Sequence, residues 1–487
     1  MSSYRSLAVT SFDEDKVSRL YNEPEWLSRI RSNSFSYYKS LPYETSSLFN
    51  KYTIANVIDG KDLLLLADDR YKARLVKEIA QRINDLKNSS IVLLQDGINI
   101  DVVSMPDDIK ADGLVIKDIK DAYKSEYSNI VEAMLKRLDP SEDKFLALEQ
   151  ALFNSGYFIY VPKGLELEYP ITVINVLQDG VSTFSINMLI ADTSSKVKVV
   201  QELYASSIDK NNNTTNNNNS SVTTNGRQGY FELNIANIRD NANVELITTQ
   251  GINSSNLAYF TNRKAFLARD SRFNSYLGLF GSFASRCKVD NILEGAGAAA
   301  EHFNVIFANN AQTFDVTANM IHIKANTIGR ILSKSIVKDT ARSLFKGMIK
   351  IVKDAKGSES YLAGHAIILN KGSRADSIPA LEIETNEVKA THSASVAQID
   401  EEQIFYMMSR GMSRDDAKRA IVFGFVEPLL KRLSKDARIY TTYLIDCKWR
   451  NRPLILLSDD VMKEIWEVEE ESRRVEADIF EKHYKYR

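Results

Sequence analysis

A chain of 487 residues and 55.0 kDa exceeds one ordinary hydrophobic core and calls for roughly two or three structural units. Its 44% hydrophobic and 26% charged residues describe a folded chain, and 62 Lys plus Arg against 64 Asp plus Glu leave a formal charge of -2, no general field for nucleic acid or an anionic membrane. The two cysteines, Cys287 and Cys447, exclude a disulfide framework and do not by themselves supply the thiolate set of an iron–sulfur cluster.

Met1 to Asp15 lacks the pattern of a secretion signal, and no run approaches the ~20 apolar residues of a membrane span, so a cytoplasmic protein is expected. Residues 1–156 read as an N-terminal helical region. In Tyr71–Leu86, Leu75, Val76, Ile79 and Ile83 recur at helical spacing, and Ile91, Val92, Leu93, Leu94 and Ile98 within Ser90–Val103 predict a short hairpin.

From Tyr157 the pattern changes to short β-branched and aromatic runs bounded by Asn, Asp, Ser or Gly. They are Val197–Leu203, Phe231–Ile235, Val244–Thr248, Phe273–Phe280, His302–Phe307, Ile328–Ile336, Phe345–Val352, Ala366–Leu369 and Leu381–Ile383. Phe231, Leu233 and Ile235 share one face of their run, with Glu232 and Asn234 on the other. Short rungs without a long helix between them predict an all-β unit over 157–399; the pattern alone fits a β-solenoid, a propeller or a sandwich. Asp209–Asn225, rich in Asn, Thr and Ser, has no apolar face and reads as a disordered loop between two rungs.

Helices return over 400–487. Asp400 is placed to cap a helix carrying Ile404, Met407 and Met408 and closed by Gly411; Ser413 caps a second, with Asp416 at its capping-box position and a break or kink expected at Pro428. Ser458–Arg487 is a charged tail with a thin apolar stripe, read as a solvated or partner-docking helix.

Three groups of motifs resemble the SufB/SufD family of iron–sulfur cluster assembly proteins. Asn22-Glu23-Pro24-Glu25-Trp26-Leu27, with Arg29 and Arg31, resembles the family's opening motif, Pro24 suiting a first helical turn. Phe158-Ile159-Tyr160-Val161-Pro162-Lys163-Gly164 with Pro170-Ile171 resembles the start of its β-helix. Ser333-Lys334-Ser335-Ile336, Phe345-Lys346-Gly347, Pro379-Ala380-Leu381-Glu382-Ile383 and Glu401-Glu402-Gln403-Ile404-Phe405-Tyr406 with Ser409-Arg410-Gly411 follow the family's order and spacing. The resemblance implies a mainly β fold, a right-handed parallel β-helix core between helical ends. It also implies pairing through that core with a SufB-like subunit or a second copy, and a SufC-like ABC-type ATPase held by the C-terminal helices. Phe405, Tyr406, Met407, Arg410, Gly411 and Met412 are the ATPase-contact candidates, the alternative for the apolar ones being helix core.

His392, in Thr391-His392-Ser393, matches the histidine that SufD proteins present at the subunit interface, and its imidazole suits iron. It is the candidate for cluster assembly and for a metal; the alternative is a structural histidine. SufB proteins carry a cysteine where this chain has Gly364 and a glutamate where it has Ser393, which favours a SufD-like role, although Asp315–Thr327 looks more like SufB. His365 beside Gly364 need not face the same way, and His302, His322 and both cysteines read as structural. No Gly-x-x-x-x-Gly-Lys-Ser/Thr loop is present to cradle ATP phosphates. The expected function is a non-catalytic scaffold with no stably bound cofactor and at most a transient cluster at a subunit interface. The alternatives are a self-sufficient homodimeric scaffold and, from the solenoid reading alone, an enzyme acting on polysaccharide.

Overall fold

The computed structural model describes residues 6–8, 22–50, 64–66, 75–107, 109, 112–177, 182–206, 228–252, 254 and 256–457. The Asn-rich loop and the charged tail lie outside the described residues. Eight helices are described: α1 (Glu25–Ser40), α2 (Lys77–Leu86), α3 (Ile119–Ala122), α4 (Ser128–Lys136), α5 (Lys144–Leu152), α6 (Glu401–Ser409), α7 (Arg414–Leu430) and α8 (Lys435–Trp449).

Between α5 and α6 the chain winds as a parallel β-solenoid of about seven turns. Successive strands alternate between a nine-stranded sheet I, which ends on Arg374–Ile383, and a ten-stranded sheet II, which ends on Lys389–Gln398. Most turns take 27 to 32 residues, as in Arg272↔Ala299 (299 − 272 = 27) and Arg342↔Arg374 (374 − 342 = 32). The step Lys196↔Asn243 takes 47 (243 − 196), because the Asn-rich stretch falls inside it. The solenoid alternative is therefore the one realised.

One corner shows what holds the turns in register. Ser194, Asn241, Asp270, Gly297, Asn326 and Gly357 all have positive φ, between 55° and 74°. Each donates its backbone N–H to a carbonyl of the following turn: Asp240, Arg269, Ala296, Ala325, Lys356 and Glu387. The left-handed conformation reverses the chain and aims that donor along the solenoid axis. Asn, Asp and Gly tolerate it best, which is why these residues punctuate the sequence.

Several strands were not foreseen, among them Leu257–Leu267, Ala284–Leu293 and Thr313–His322. Each carries charges that break the apolar pattern: Arg263 and Lys264, Arg286 with Lys288 and Asp290, Asp315. The outward-facing ones are buried against the N-terminal layer and paired there. Arg286 and Lys288 meet Asp143, whose carboxyl they hold at about 2 despite burial; Lys264 meets Glu142 and Asp290; Lys346 meets Asp315 at 2.8 Å and Glu44 at 2.9 Å. Phe231, Leu233 and Ile235 do share a face, packed beneath the N-terminal layer, and Glu232 and Asn234 occupy the other face, inside the solenoid. Both faces are buried.

Helices cover both sheets on the outside. The N-terminal layer, with α5 against α1, packs on sheet I through Phe145, Phe158, Phe184, Phe231 and Phe260, while α7 and α8 pack on sheet II through Val422, Val426, Tyr440 and Leu444. The opening motif is an anchor. Glu23 takes both Nε (2.8 Å) and Nη2 (2.6 Å) of buried Arg31, which also donates to Ala151 O at the end of α5. Pro24 is the N-cap of α1, one residue before the first turn. In the second helix Leu75 and Val76 precede the helix, which starts at Lys77. The expected hairpin is present as Ile91–Asp96 paired antiparallel with Asn99–Ser104.

Candidate functional site at the open end

The two ends of the solenoid differ. At the N-terminal end each sheet ends on a short antiparallel strand, Val115–Asp118 on sheet I and Asn99–Ser104 on sheet II. At the other end both sheets stop on bare strands, Arg374–Ile383 and Lys389–Gln398, and most of the second is exposed. Each leaves one row of backbone donors and acceptors unpaired, a template for another strand.

His392 lies on that last strand. Its register column runs back through Leu362, Ile331 and His302 to Ser275, residues that face the lumen, so His392 stands on the lumen side of the mouth with an exposed ring. Among the described residues the ring has no hydrogen-bond partner. Gly364 also faces inward, in register with Ala394, and its place is filled. A Cβ there would come within 2.5 Å of Phe345 Cδ1 and closer to Ser377 Oγ, which donates to Gly364 O at 3.0 Å. The space that a side chain at position 364 would take is held by the Phe345 ring and Ser377 Oγ.

His365 points to the outer face, its Nδ1 2.6 Å from Ser395 Oγ; partial burial, then the nearby Lys334 charge, keep it below the ordinary histidine range. His302 bridges Ser275 Oγ (2.6 Å) and Asn304 Oδ1 (2.8 Å) inside the solenoid, and burial, aided by the Arg263 charge, holds it at about 3. His322 bridges Thr327 Oγ1 (2.7 Å) and Ser360 Oγ (3.0 Å), with burial holding it at about 4. Both are neutral, satisfied core groups. Cys287 and Cys447 are buried and their thiols are pushed up by burial, away from thiolate character. Among the described residues no three His, Cys, Asp or Glu side chains gather as a metal site.

What the sequence did not reveal is a polar core inside the solenoid. Arg263 donates to Thr248 Oγ1 (2.7 Å), Tyr259 OH (2.9 Å) and Gln201 Oε1 (3.2 Å) and lies 3.5 Å from Glu232 Oε1. These residues come from four strands. Only the inward parity of each strand, which needs the register, brings them together.

Beside the open end, α6 buries only Ile404. Phe405 is 72% exposed and Tyr406 60%. Met408, Arg410 and Gly411 are also exposed, and Met407 and Met412 half-buried, so Phe405, Tyr406 and Met408 are not helix core. Asp400 caps α6 by accepting from Glu402 N, Gly411 reverses the chain at φ +94°, and Ser413 caps α7 by exchanging hydrogen bonds with Asp416. Pro428 sits inside α7 without ending it; the helix runs on to Leu430. Arg414 fastens α7 to α6 through both oxygens of Glu401 at 2.7 Å. Gly411, Met412, Ser413, Asp416, Arg419 and Phe423 border a groove of about 550 Å³.

These features define a parallel β-solenoid protein that ends on short antiparallel strands at one end and on long parallel strands at the other, with an aromatic-bearing helix pair beside the latter. Residues 173–425 match the family model of the SUF system FeS cluster assembly SufBD core domain, and residues 10–173 that of the SufBD protein N-terminal region. The chain belongs to the SufB/SufD family. It is 27% identical over 444 residues to the iron–sulfur cluster assembly protein SufB of Bacillus subtilis, spanning 88% of this chain and 91% of that protein. It is 26% identical over 426 residues to SufD of the same bacterium, spanning 85% and 92%. A SufBD family protein of Staphylococcus aureus is 25% identical over 438 residues, spanning 88% and 90%. No described helix is long and apolar enough to cross a membrane.

Proposed function

We propose that this chain is a non-catalytic, SufD-like scaffold subunit of a SUF iron–sulfur cluster assembly complex. Its bare solenoid end joins a SufB-like subunit, and α6 and α7 hold a SufC-like ABC-type ATPase. The observation that carries the reading is the open end itself, with the outer edges of two strands unpaired, His392 at the mouth of the lumen and exposed aromatics alongside. The Phe345 ring fills the space beside Gly364 and both cysteines are buried elsewhere, which supports a reading in which the partner supplies the thiolates and this chain the imidazole. The cluster is then cargo built at the junction.

Co-expression with the SufB-like and ATPase subunits of the same organism, followed by affinity purification and light scattering, tests this. A three-component complex whose cluster yield falls on His392→Ala, with assembly unchanged, is the expected result. Recovery of the chain without either partner would overturn it. A self-sufficient homodimeric scaffold is the second reading, favoured by the near absence of charge on the last strand.

A further inference from the structure

On the outer face of sheet II, Lys334, His365 and Ser395 stand in one register row across the last three strands of that sheet. Residues two apart on a strand share a face, so the row is bordered by Leu332 and Ala363 on one side and by Ile336 and Ile367 on the other. Ala363, Ile336 and Ile367 are buried and Leu332 half-buried. Neighbouring strands are about 5 Å apart, which brings all three polar side chains within reach of one small ligand. α7 runs beside the row and lays the Phe425 ring against Lys334, whose Nζ is 4.3 Å from the ring centroid.

Lys334 is a half-buried ammonium with no acid to balance it. Among the described residues it makes no ion pair and no hydrogen bond, and the ring face attracts its charge without accepting its full set of N–H groups. Burial disfavours its charged form and no carboxylate opposes that effect. Other cations around the row are paired: Arg330 meets Glu301 at 2.5 Å, Lys389 meets Glu359 at 2.6 Å, and on α7 Lys431 meets Glu427 at 3.1 Å. His365 Nδ1 is joined to Ser395 Oγ at 2.6 Å, while its Nε2 has no partner among the described residues. An ammonium, an imidazole and a hydroxyl between apolar side chains form a donor set that lacks an acceptor.

We infer that Lys334, His365 and Ser395 form a binding site for one tetrahedral oxyanion of the sulfate and phosphate class. Lys334 supplies the fixed charge, and His365, on taking up a proton, supplies an Nε2–H. The imidazolium Nδ1–H donates to Ser395 Oγ, which frees the hydroxyl hydrogen for the anion. Charge-assisted donors flanked by apolar surface are the strong ones for such an ion. His365 faces the Lys334 charge from one neighbouring strand and Ser395 from the other, with the Phe425 ring of α7 beside Lys334; none of these groups is acidic. The anion and the proton therefore bind together, and affinity for sulfate, which stays dianionic, rises as pH falls through the His365 range. This site is independent of the subunit contacts proposed above.

The test is a sulfate titration of the full chain followed through its histidine ring Cε1–H signals by NMR, against sodium chloride at matched ionic strength. His365→Gln assigns the signal. A saturable shift at His365, with His302 and His322 unmoved, is expected, and its titration midpoint should rise by roughly half to one pH unit. Lys334→Met keeps the apolar stem and removes the charge; it is expected to keep the melting temperature and to weaken sulfate by at least about tenfold. Ser395→Ala, at an exposed position, should weaken it roughly threefold to tenfold. Competition separates two sources of the same chemistry, and both outcomes uphold the site: displacement by phosphoserine at lower concentration than inorganic phosphate assigns a phosphorylated side chain, and the reverse order assigns the free ion. A His365 response that chloride reproduces, or that survives undiminished in Lys334→Met, overturns the site.

Discussion

Arg82 Nη2 lies 2.7 Å from Glu202 Oε1, and neither side chain has any exposed surface. The pair joins α2 to a sheet II strand, and Arg82 also donates to Leu457 O at 2.7 Å, beyond α8, while Glu202 accepts from Tyr204 OH at 2.7 Å. One ion pair thus fastens the N-terminal layer, the solenoid and the C-terminal segment together. Burial works against the Arg82 charge, but Glu202 more than restores it.

Removing one partner strands the other without water. Arg82→Ala is expected to cost about 3–5 kcal/mol, and Arg82→Met with Glu202→Met to recover much of that, because the pair itself contributes little beyond its own desolvation. Urea denaturation of the two variants measures both. Equal losses in the single and double variants would show that packing, not the stranded charge, sets the cost.

Acid sensitivity follows from His302 and His322, held at about 3 and about 4 against an ordinary 6.5. Below about pH 6.5 the unfolded chain takes up protons at both residues and the folded chain does not. The unfolded state binds more protons, so stability is lost as pH falls from about 6.5 toward about 4. Each histidine contributes a slope of about 1.4 kcal/mol per pH unit in the middle of that window. His322→Asn lowers stability at pH 7 by removing two hydrogen bonds, but its loss between pH 6 and pH 5 should be shallower than the parent's by one histidine's share. Parallel curves for parent and variant would contradict this.

Gly364→Cys should not simply restore a thiol to the lumen. The new Cβ meets the Phe345 ring and Ser377 Oγ, an overpacking expected to cost about 1–3 kcal/mol. Phe345→Leu in the same chain should return part of that loss. Thermal melts of the single and double variants decide it, a fully stable Gly364→Cys being the contrary result.

Phe405 and Tyr406 touch little of their own chain. Replacing both by Ser should leave stability within about 0.5 kcal/mol and weaken capture of the ATPase subunit by at least about tenfold, as loss of aromatic anchors does. Unchanged ATPase binding, measured by calorimetry, would move that contact elsewhere.

Strand runs such as Phe231–Ile235 and caps such as Asp400 and Ser413 were legible in the sequence because each depends on neighbours a few residues away. The charged strands were not. Arg286 and Lys288 look like solvent residues until Asp143, far away in the chain, is seen to cover them.

By itself the sequence determined the local alternation, the left-handed turn residues and the motifs of the family, since these are properties of short segments. Tertiary structure decided what depends on register: that Gly364 faces Phe345, that His365 turns away from His392, and that Arg263 finds its partners across four strands. Register sums one vote from every turn of the solenoid, and a single strand holds only its own.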